Sequence, residues 1–141
     1  MRNAVVAPAL LLLAAFTAGC TTEFSARKVM PLDRFQRVFV ERRLNDNHRL
    51  DDLLVAELRR HGREASSGPL TMMPEGTDAV LTYDARWEWD FKSYLVEFTL
   101  ELHTARTRKK LADARCYQPH VRARPPEAVA RDLIARLLAP P

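Results

Sequence analysis

A strict alternation of apolar and polar residues, beginning at Ala79, constrains the fold of this chain more than any other feature. Up to residue 90 the apolar side chains fall on one side of an extended chain and the polar ones between them; the apolar set is Leu81, Tyr83, Ala85, Trp87 and Trp89. A period of two is the pattern of a β-strand with one buried face. After a turn near residues 91–93, a second alternation places Val96, Phe98, Leu100 and Leu102 on one face. Residues 105–110 predict a hairpin loop and residues 111–117 a third strand, so we expect an antiparallel meander with one apolar face.

Two segments have the apolar spacing of amphipathic helices. The first runs from about Asn47 to His61, with Asn47 as the predicted N-cap, Gly62 as the left-handed C-cap, and an apolar stripe of Leu50, Leu53, Leu54 and Leu58. The second follows Pro125 and Pro126, and its apolar face consists of Ala130, Leu133, Ile134, Leu137 and Leu138. Residues 37–41 predict a first strand, and residues 63–78 hold a brief edge strand at most. The predicted fold is α+β, a two-layer sandwich of order β-α-(β)-β-β-β-α, whose largely antiparallel sheet carries both helices on one face.

Length and composition exclude several classes of function. The chain has 141 residues, which is room for one domain, and its four glycines are too scattered to form a phosphate-binding loop. The formal net charge of +4 is far from the dense basic stripe of a nucleic-acid-binding protein. We therefore expect no nucleotide cofactor and no nucleic-acid partner.

The N-terminus carries a targeting segment. A short basic start is followed by an uncharged run from residue 4 to residue 18, which is too short for a membrane-spanning helix and contains Pro8. The sequence Thr17-Ala18-Gly19-Cys20 resembles the lipobox of bacterial lipoproteins, although leucine is usual where Thr17 stands. The resemblance implies removal of residues 1–19 as a signal peptide and attachment of acyl chains to Cys20. Because Thr21 stands where an aspartate commonly retains lipoproteins in the inner membrane, it also implies the periplasmic face of the outer membrane.

The processed protein would differ from its precursor in charge and thiol content. Removal of residues 1–19 takes away Arg2 and no acid, which leaves 21 basic against 18 acidic residues and a net charge of +3. We predict a lipidated tether over residues 20–34 and a single α+β periplasmic domain over residues 35–141. Cys116 becomes the one thiol that carries no lipid, and its place among small alternating residues favours burial over intermolecular pairing.

Acidic residues form the one constellation that suggests chemistry. Asp84, Glu88 and Asp90 share a face of the predicted strand, and Glu97, Glu101 and His103 lie on the corresponding face of its neighbour. Paired carboxylates can bind a cation or support hydrolysis. The competing interpretation, which we favour, is that Arg86 and Lys92 pair with them on a solvated sheet face.

Histidine spacing favours no metal site. The four histidines, His48, His61, His103 and His120, show no pair at helical i, i+4 spacing. We interpret them as surface residues and expect neither a metal nor a cofactor, and no catalytic residue is assigned.

The aromatic residues of the best strand are predicted to be core. They alternate with Leu81 on the face where a helix should pack, and Trp89, which lies nearest the strand end, is the one we expect to be partly exposed.

The domain itself resembles small proteobacterial envelope lipoproteins of uncharacterised function. The residues that carry this resemblance are the run from Asp78 to Tyr83, the run from Arg86 to Asp90, and the loop from Thr104 to Thr107. The family supplies no catalytic residues to carry over. We expect a lipid-anchored envelope protein with a non-enzymatic binding or scaffold role and an envelope protein as partner. The alternative is a periplasmic glycan- or peptide-binding or hydrolytic module that uses the acidic strand face. The sequence leaves the oligomeric state open.

Overall fold

The structure is a computed structural model and describes residues 21–119 and 123–140. Its first half contains strand β1 (Glu23–Lys28), strand β2 (Arg37–Glu41), helix α1 (Leu50–Arg60) and strand β3 (Glu64–Gly68), followed by a single 3₁₀ turn (Leu70–Met72). Its second half contains strands β4 (Ala79–Asp90), β5 (Lys92–Thr104) and β6 (Lys110–Tyr117) and helix α2 (Pro126–Leu138). The predicted signal peptide (residues 1–19), Cys20 and His120 lie outside the described residues.

The six strands form one sheet in the order β1-β6-β5-β4-β2-β3. The neighbours β1–β6, β6–β5 and β5–β4 are antiparallel, whereas β2 is parallel to both β3 and β4. The connections explain the two parallel pairs. Helix α1 and residues 69–78 each carry the chain back to the end of the sheet at which β2 begins, so β3 and β4 run in the same direction as β2. The sheet is therefore mostly antiparallel, as predicted.

Both helices pack on one face of this sheet and close a single core. Buried leucines of α1 and buried Val129, Leu133, Ile134 and Leu137 of α2 share one cluster with inward residues of all the central strands. Phe98 and Leu100 of β5 lie at its centre and are fully buried. The predicted two-layer α+β fold with two helices on one face is confirmed.

The predicted boundary of the tether is wrong for residues 23–28. These residues form β1 and pair in continuous register with β6, from Glu23 opposite Tyr117 to Lys28 opposite Ala112. The segment lacks apolar alternation because it is an edge strand that is held mainly through its backbone, with half-buried Phe24 under the guanidinium groups of Arg124 and Arg136. The element order is thus β-β-α-β-β-β-β-α, with one more strand than the sequence predicted.

Helix α1 begins three residues later than predicted, and Asn47 is not its cap. The carboxylate of Asp46 accepts hydrogen bonds from the backbone N–H groups of His48 and Leu50, both at 2.8 Å. Arg49 adopts left-handed backbone angles (φ 55°) immediately before the helix. The predicted C-terminus is confirmed, since Gly62 has φ 76° and the backbone N–H of Arg63 returns to the carbonyl of Leu58.

A β-bulge corrects the predicted face of Val96. The register of β4 against β5 shifts after Arg86, so Trp87 lies opposite Leu95 and Val96 is the extra residue. Leu95 consequently joins the core beneath the helices, whereas Val96 is buried outside that cluster. The prediction holds for Phe98, Leu100 and Leu102, which lie beyond the bulge.

Candidate functional site

The sheet brings the predicted acidic residues onto the face opposite the helices. Asp84 and Glu88 alternate along β4, and the register places Arg86 opposite Glu97 of β5. Asp90 lies at the end of β4, opposite Lys92. His103, at the other end of β5, has its Nε2 3.5 Å from a carboxylate oxygen of Glu101. The acidic residues therefore lie along two neighbouring strands rather than converge on one point.

Basic side chains from two strands and one loop pair with these carboxylates. Arg86 lies 3.1 Å from Glu88 and 3.5 Å from Glu97, and Glu97 also accepts a hydrogen bond of 2.5 Å from Arg115 of β6. The hydrogen bond from Arg115 lowers the pKa of Glu97, and the partial burial of this carboxyl only partly opposes the shift. Asp84 is paired with Arg43 at 2.9 Å. Here the carboxylates form ion pairs on a solvated sheet face, which is the interpretation that we favoured from the sequence.

The same pattern continues toward the β5–β6 hairpin. The Nζ of Lys110 lies 2.7 Å from Glu101 and 3.6 Å from Asp113. Its hydrogen bond with Glu101 raises the pKa of Lys110. Among residues 21–119 and 123–140, no three His, Cys, Asp or Glu side chains lie close enough together to hold a metal ion.

The aromatic residues of β4 become more exposed toward the end of the strand. Tyr83 is buried and meets Phe98 edge-to-face, with ring centroids 6.3 Å apart. Trp87 is half-buried and stacks on His48, with ring centroids 3.6 Å apart and planes 15° from parallel. Trp89 is 72% exposed, as the sequence predicted for the last aromatic residue of the strand.

The loop between β2 and α1, residues 42–49, holds a polar cluster that the sequence did not reveal. The hydroxyl of Tyr83 donates a 2.7 Å hydrogen bond to the Asp46 carboxylate that also caps α1, and a guanidinium nitrogen of Arg43 donates to the backbone carbonyl of Tyr83. Burial, reinforced by the bond to Asp46, raises the pKa of Tyr83. The cluster borders a cavity of about 190 Å³ that His48 and Trp87 also line. Ligand pockets usually span ~300–1,000 Å³, so this cavity is small for one.

A buried carboxylate fixes the other end of the same loop. Asp51, in the first turn of α1, accepts hydrogen bonds from Arg42 at 2.7 Å and from the hydroxyl of Ser67 at 2.8 Å. Burial alone would raise the pKa of Asp51, but these hydrogen bonds outweigh it and lower the pKa. These hydrogen bonds tie the first turn of α1 to the start of the loop after β2 and to β3.

The remaining cysteine of the domain is buried. Cys116 is 1% exposed on the helix-facing side of β6, and its burial raises the pKa of the thiol to about 11. Its predicted burial among small residues is confirmed, with Ala112 and Ala114 on the same face. A thiol with so high a pKa is a poor nucleophile at neutral pH.

Comparisons with known proteins identify the fold. No protein-family model matches the chain, and no curated protein matches it. The PelC dodecamer from Paraburkholderia phytofirmans superposes with a TM-score of 0.61 at 19% identity, over 84% of this chain and 95% of the PelC chain. A variant of the same dodecamer in another crystal form gives a TM-score of 0.60 at 19% identity, over 84% of this chain and 96% of that one. This chain therefore shares the fold of PelC over nearly the whole of both domains.

A minor lipoprotein from Acinetobacter baumannii is also similar, at 18% identity over 72% of this chain and 80% of its own. Its TM-score of 0.35 is too low to support an inference. No helix in the described parts of the chain is long and apolar enough to span a membrane.

Proposed function

We propose that this chain is a lipid-anchored envelope protein that acts as a non-enzymatic scaffold. In this proposal, acyl chains on Cys20 hold it at the outer membrane, its domain faces the periplasm, and copies associate with one another through the edges of the sheet. Acyl chains contribute about 0.8 kcal/mol for each buried methylene group, so an anchor of several chains is effectively permanent.

The observation that carries the scaffold proposal is the unpaired edges of the sheet. Among the described residues, no strand pairs with the outer side of β1 or of β3. On the side of β4 that faces β2, the register ends at Leu81, and residues 82–89 have no further strand neighbour there among the described residues, where the carbonyl of Tyr83 accepts a hydrogen bond from Arg43. Unpaired strand edges are ready-made surfaces for pairing with another chain.

The state of the charged groups supports association rather than catalysis. The carboxylates of the acidic face are engaged by Arg43, Arg86, Arg115 and Lys110, which leaves them poorly suited to act as a general base or acid. The buried thiol of Cys116 is shielded as well. Binding at the edges requires none of these groups.

The fold shared with PelC supports self-association in particular. PelC from Paraburkholderia phytofirmans is a dodecamer in its crystals, and 95% of its chain superposes on this one. We propose that this chain also associates with copies of itself. The number of subunits in PelC is not part of this proposal.

The anchor is tested by fractionation of cells that produce the full chain. Globomycin, which blocks lipoprotein signal cleavage, and Cys20→Ala should each release the domain from the membrane fraction or leave an uncleaved precursor. Unchanged fractionation of a cleaved protein under both conditions would refute the anchor.

Self-association is tested by sedimentation of the lipidated chain in mild detergent, with a matched pair of variants. Ala26 is exposed on the edge strand β1, and Ala56 is exposed on α1 away from any edge. We expect Ala26→Lys to shift the protein toward smaller species and Ala56→Lys to leave its sedimentation unchanged, because a lysine on an edge strand blocks pairing. A wild-type chain that sediments as a monomer would refute the scaffold proposal.

A further inference from the structure

The β4–β5 hairpin carries two exposed aromatic residues at its tip. Trp89 is 72% exposed and Phe91 is 92% exposed, and their ring centroids lie 6.3 Å apart. The tip thus presents a paired aromatic surface to its surroundings. Large aromatic residues in such positions mark contacts with proteins or membranes.

Phe91 adopts a backbone conformation that is unfavourable for its type. Its φ is 58°, in the left-handed region where glycine or asparagine is usual and a bulky side chain is costly. Because the ring is almost wholly exposed, packing within the domain does not offset this cost. Strained residues of this kind point to a use for the side chain outside the fold.

The register of the sheet shows where this tip lies relative to the N-terminus of the domain. Glu23 of β1 and Glu97 of β5 both lie opposite Tyr117 of β6, so they are at the same level of the sheet. From Glu97 the hairpin extends beyond that level to Lys92, five residues earlier in β5, which is about 13 Å at ~3.3 Å per residue because the bulge takes up one residue. The start of β1 and the aromatic tip therefore face the same direction.

Cys20 lies three positions before Glu23, and three Cα-to-Cα steps span at most about 11 Å. An acylated Cys20 would therefore keep the membrane surface close to Glu23. The hairpin tip extends at least as far beyond the level of Glu23 as Cys20 can reach. We propose that the tip, Trp89 and Phe91, inserts into the headgroup region of the membrane to which Cys20 is anchored, as a second membrane contact. This proposal rests on the anchor in the proposed function.

The surrounding chemistry suits the interfacial region rather than the hydrocarbon core. Tryptophan favours the membrane–water interface because its ring is apolar and its N–H is polar. Asp90 lies between the two aromatic residues in sequence, which restricts the tip to shallow insertion, and Lys92 lies opposite it in register, where it can meet anionic headgroups.

Tryptophan fluorescence can test this contact residue by residue, because Trp87 and Trp89 are the two tryptophans of the chain. The lipidated chain would be placed in vesicles of phosphatidylethanolamine and phosphatidylglycerol, with or without lipids brominated near the headgroup end of the acyl chain. In Trp87→Phe, where Trp89 is the sole reporter, we expect brominated lipid to lower the emission about twofold. In the matched variant Trp89→Phe, the remaining Trp87 is stacked on His48 and should change little.

Separate readouts distinguish failure of this contact from failure of the anchor. If the chain floats with the vesicles but Trp89 is neither quenched by brominated lipid nor protected from aqueous iodide, the tip proposal is wrong and the anchor stands. Protection from iodide without quenching by lipid would mean that a second copy or another ligand covers the tip, which also overturns the proposal. If Cys20 proves unacylated, the anchor proposal is wrong. The tip proposal is still tested in that chain, because quenching of Trp89 by brominated lipid would support contact with lipid and a lack of quenching would refute it.

Discussion

Substitution of Phe91 should stabilise the domain, although it removes a large apolar side chain. A left-handed conformation costs a residue with a Cβ about 1–2 kcal/mol, and asparagine recovers part of this because its side chain can form local hydrogen bonds. Phe91 is 92% exposed, so its removal forfeits little burial. Its tilted contact with exposed Trp89 offsets ~0.5 kcal/mol at most. For Phe91→Asn we therefore expect a gain of about 0.5 kcal/mol in the free energy of unfolding.

Urea denaturation followed by circular dichroism measures this difference, and a buried phenylalanine of the same hairpin provides the comparison. Phe98 is fully buried at the centre of the core, so Phe98→Ala should lose about 3–5 kcal/mol. The same Phe91→Asn variant should show weaker contact with vesicles, so that stability rises while membrane contact falls. A loss of more than about 1 kcal/mol for Phe91→Asn would refute the reasoning, because it would mean that the ring packs within the domain.

Three further predictions follow from the charged and buried groups. In Cys20→Ala, Cys116 is the one thiol of the chain. The raised pKa and the burial of Cys116 should prevent its reaction with Ellman's reagent until urea unfolds the chain. Rapid labelling of the native protein would contradict the buried position. Because the folded pKa of Asp51 is lowered, its contribution to stability is present above the pKa of an unfolded aspartate, about 3.9, and is lost as the pH falls through the folded pKa. Asp51→Asn should therefore cost about 1–3 kcal/mol at neutral pH and less in acid, and an equal cost at both would contradict the pairing with Arg42. Calcium or magnesium should leave the melting temperature unchanged, whereas a rise that is abolished by alanine at the acidic residues would revive a cation site at Asp84, Glu88 and Asp90.

The elements that the sequence predicted well are those whose pattern is local. The alternation through β4 and β5 and the leucine stripe of α1 each depend on burial of one face of a single element, and periodicity records that burial directly. Strand β1 escaped prediction because its side chains contribute little to the core and its pairing with β6 is made by the backbone. A tether and an edge strand of this kind have similar sequences.

The misplaced features depend on contacts between distant parts of the chain. Asp46 caps α1 and also accepts from Tyr83, 37 positions later, and neither residue alone predicts the pair. The bulge at Val96 had a local sign, since Leu95 and Val96 are consecutive apolar residues that interrupt the alternation. The stacking of His48 on Trp87 had none, because it requires the loop before α1 to lie against the far end of β4.

Native mass spectrometry of the chain, purified from membranes with its own N-terminus, tests the lipid-anchored scaffold most directly. It reports the mass of each subunit and the number of subunits together. We expect a species of several copies in which every copy begins at Cys20 and carries the added mass of acyl chains. A monomer would contradict the scaffold, and an unmodified N-terminus would contradict the anchor.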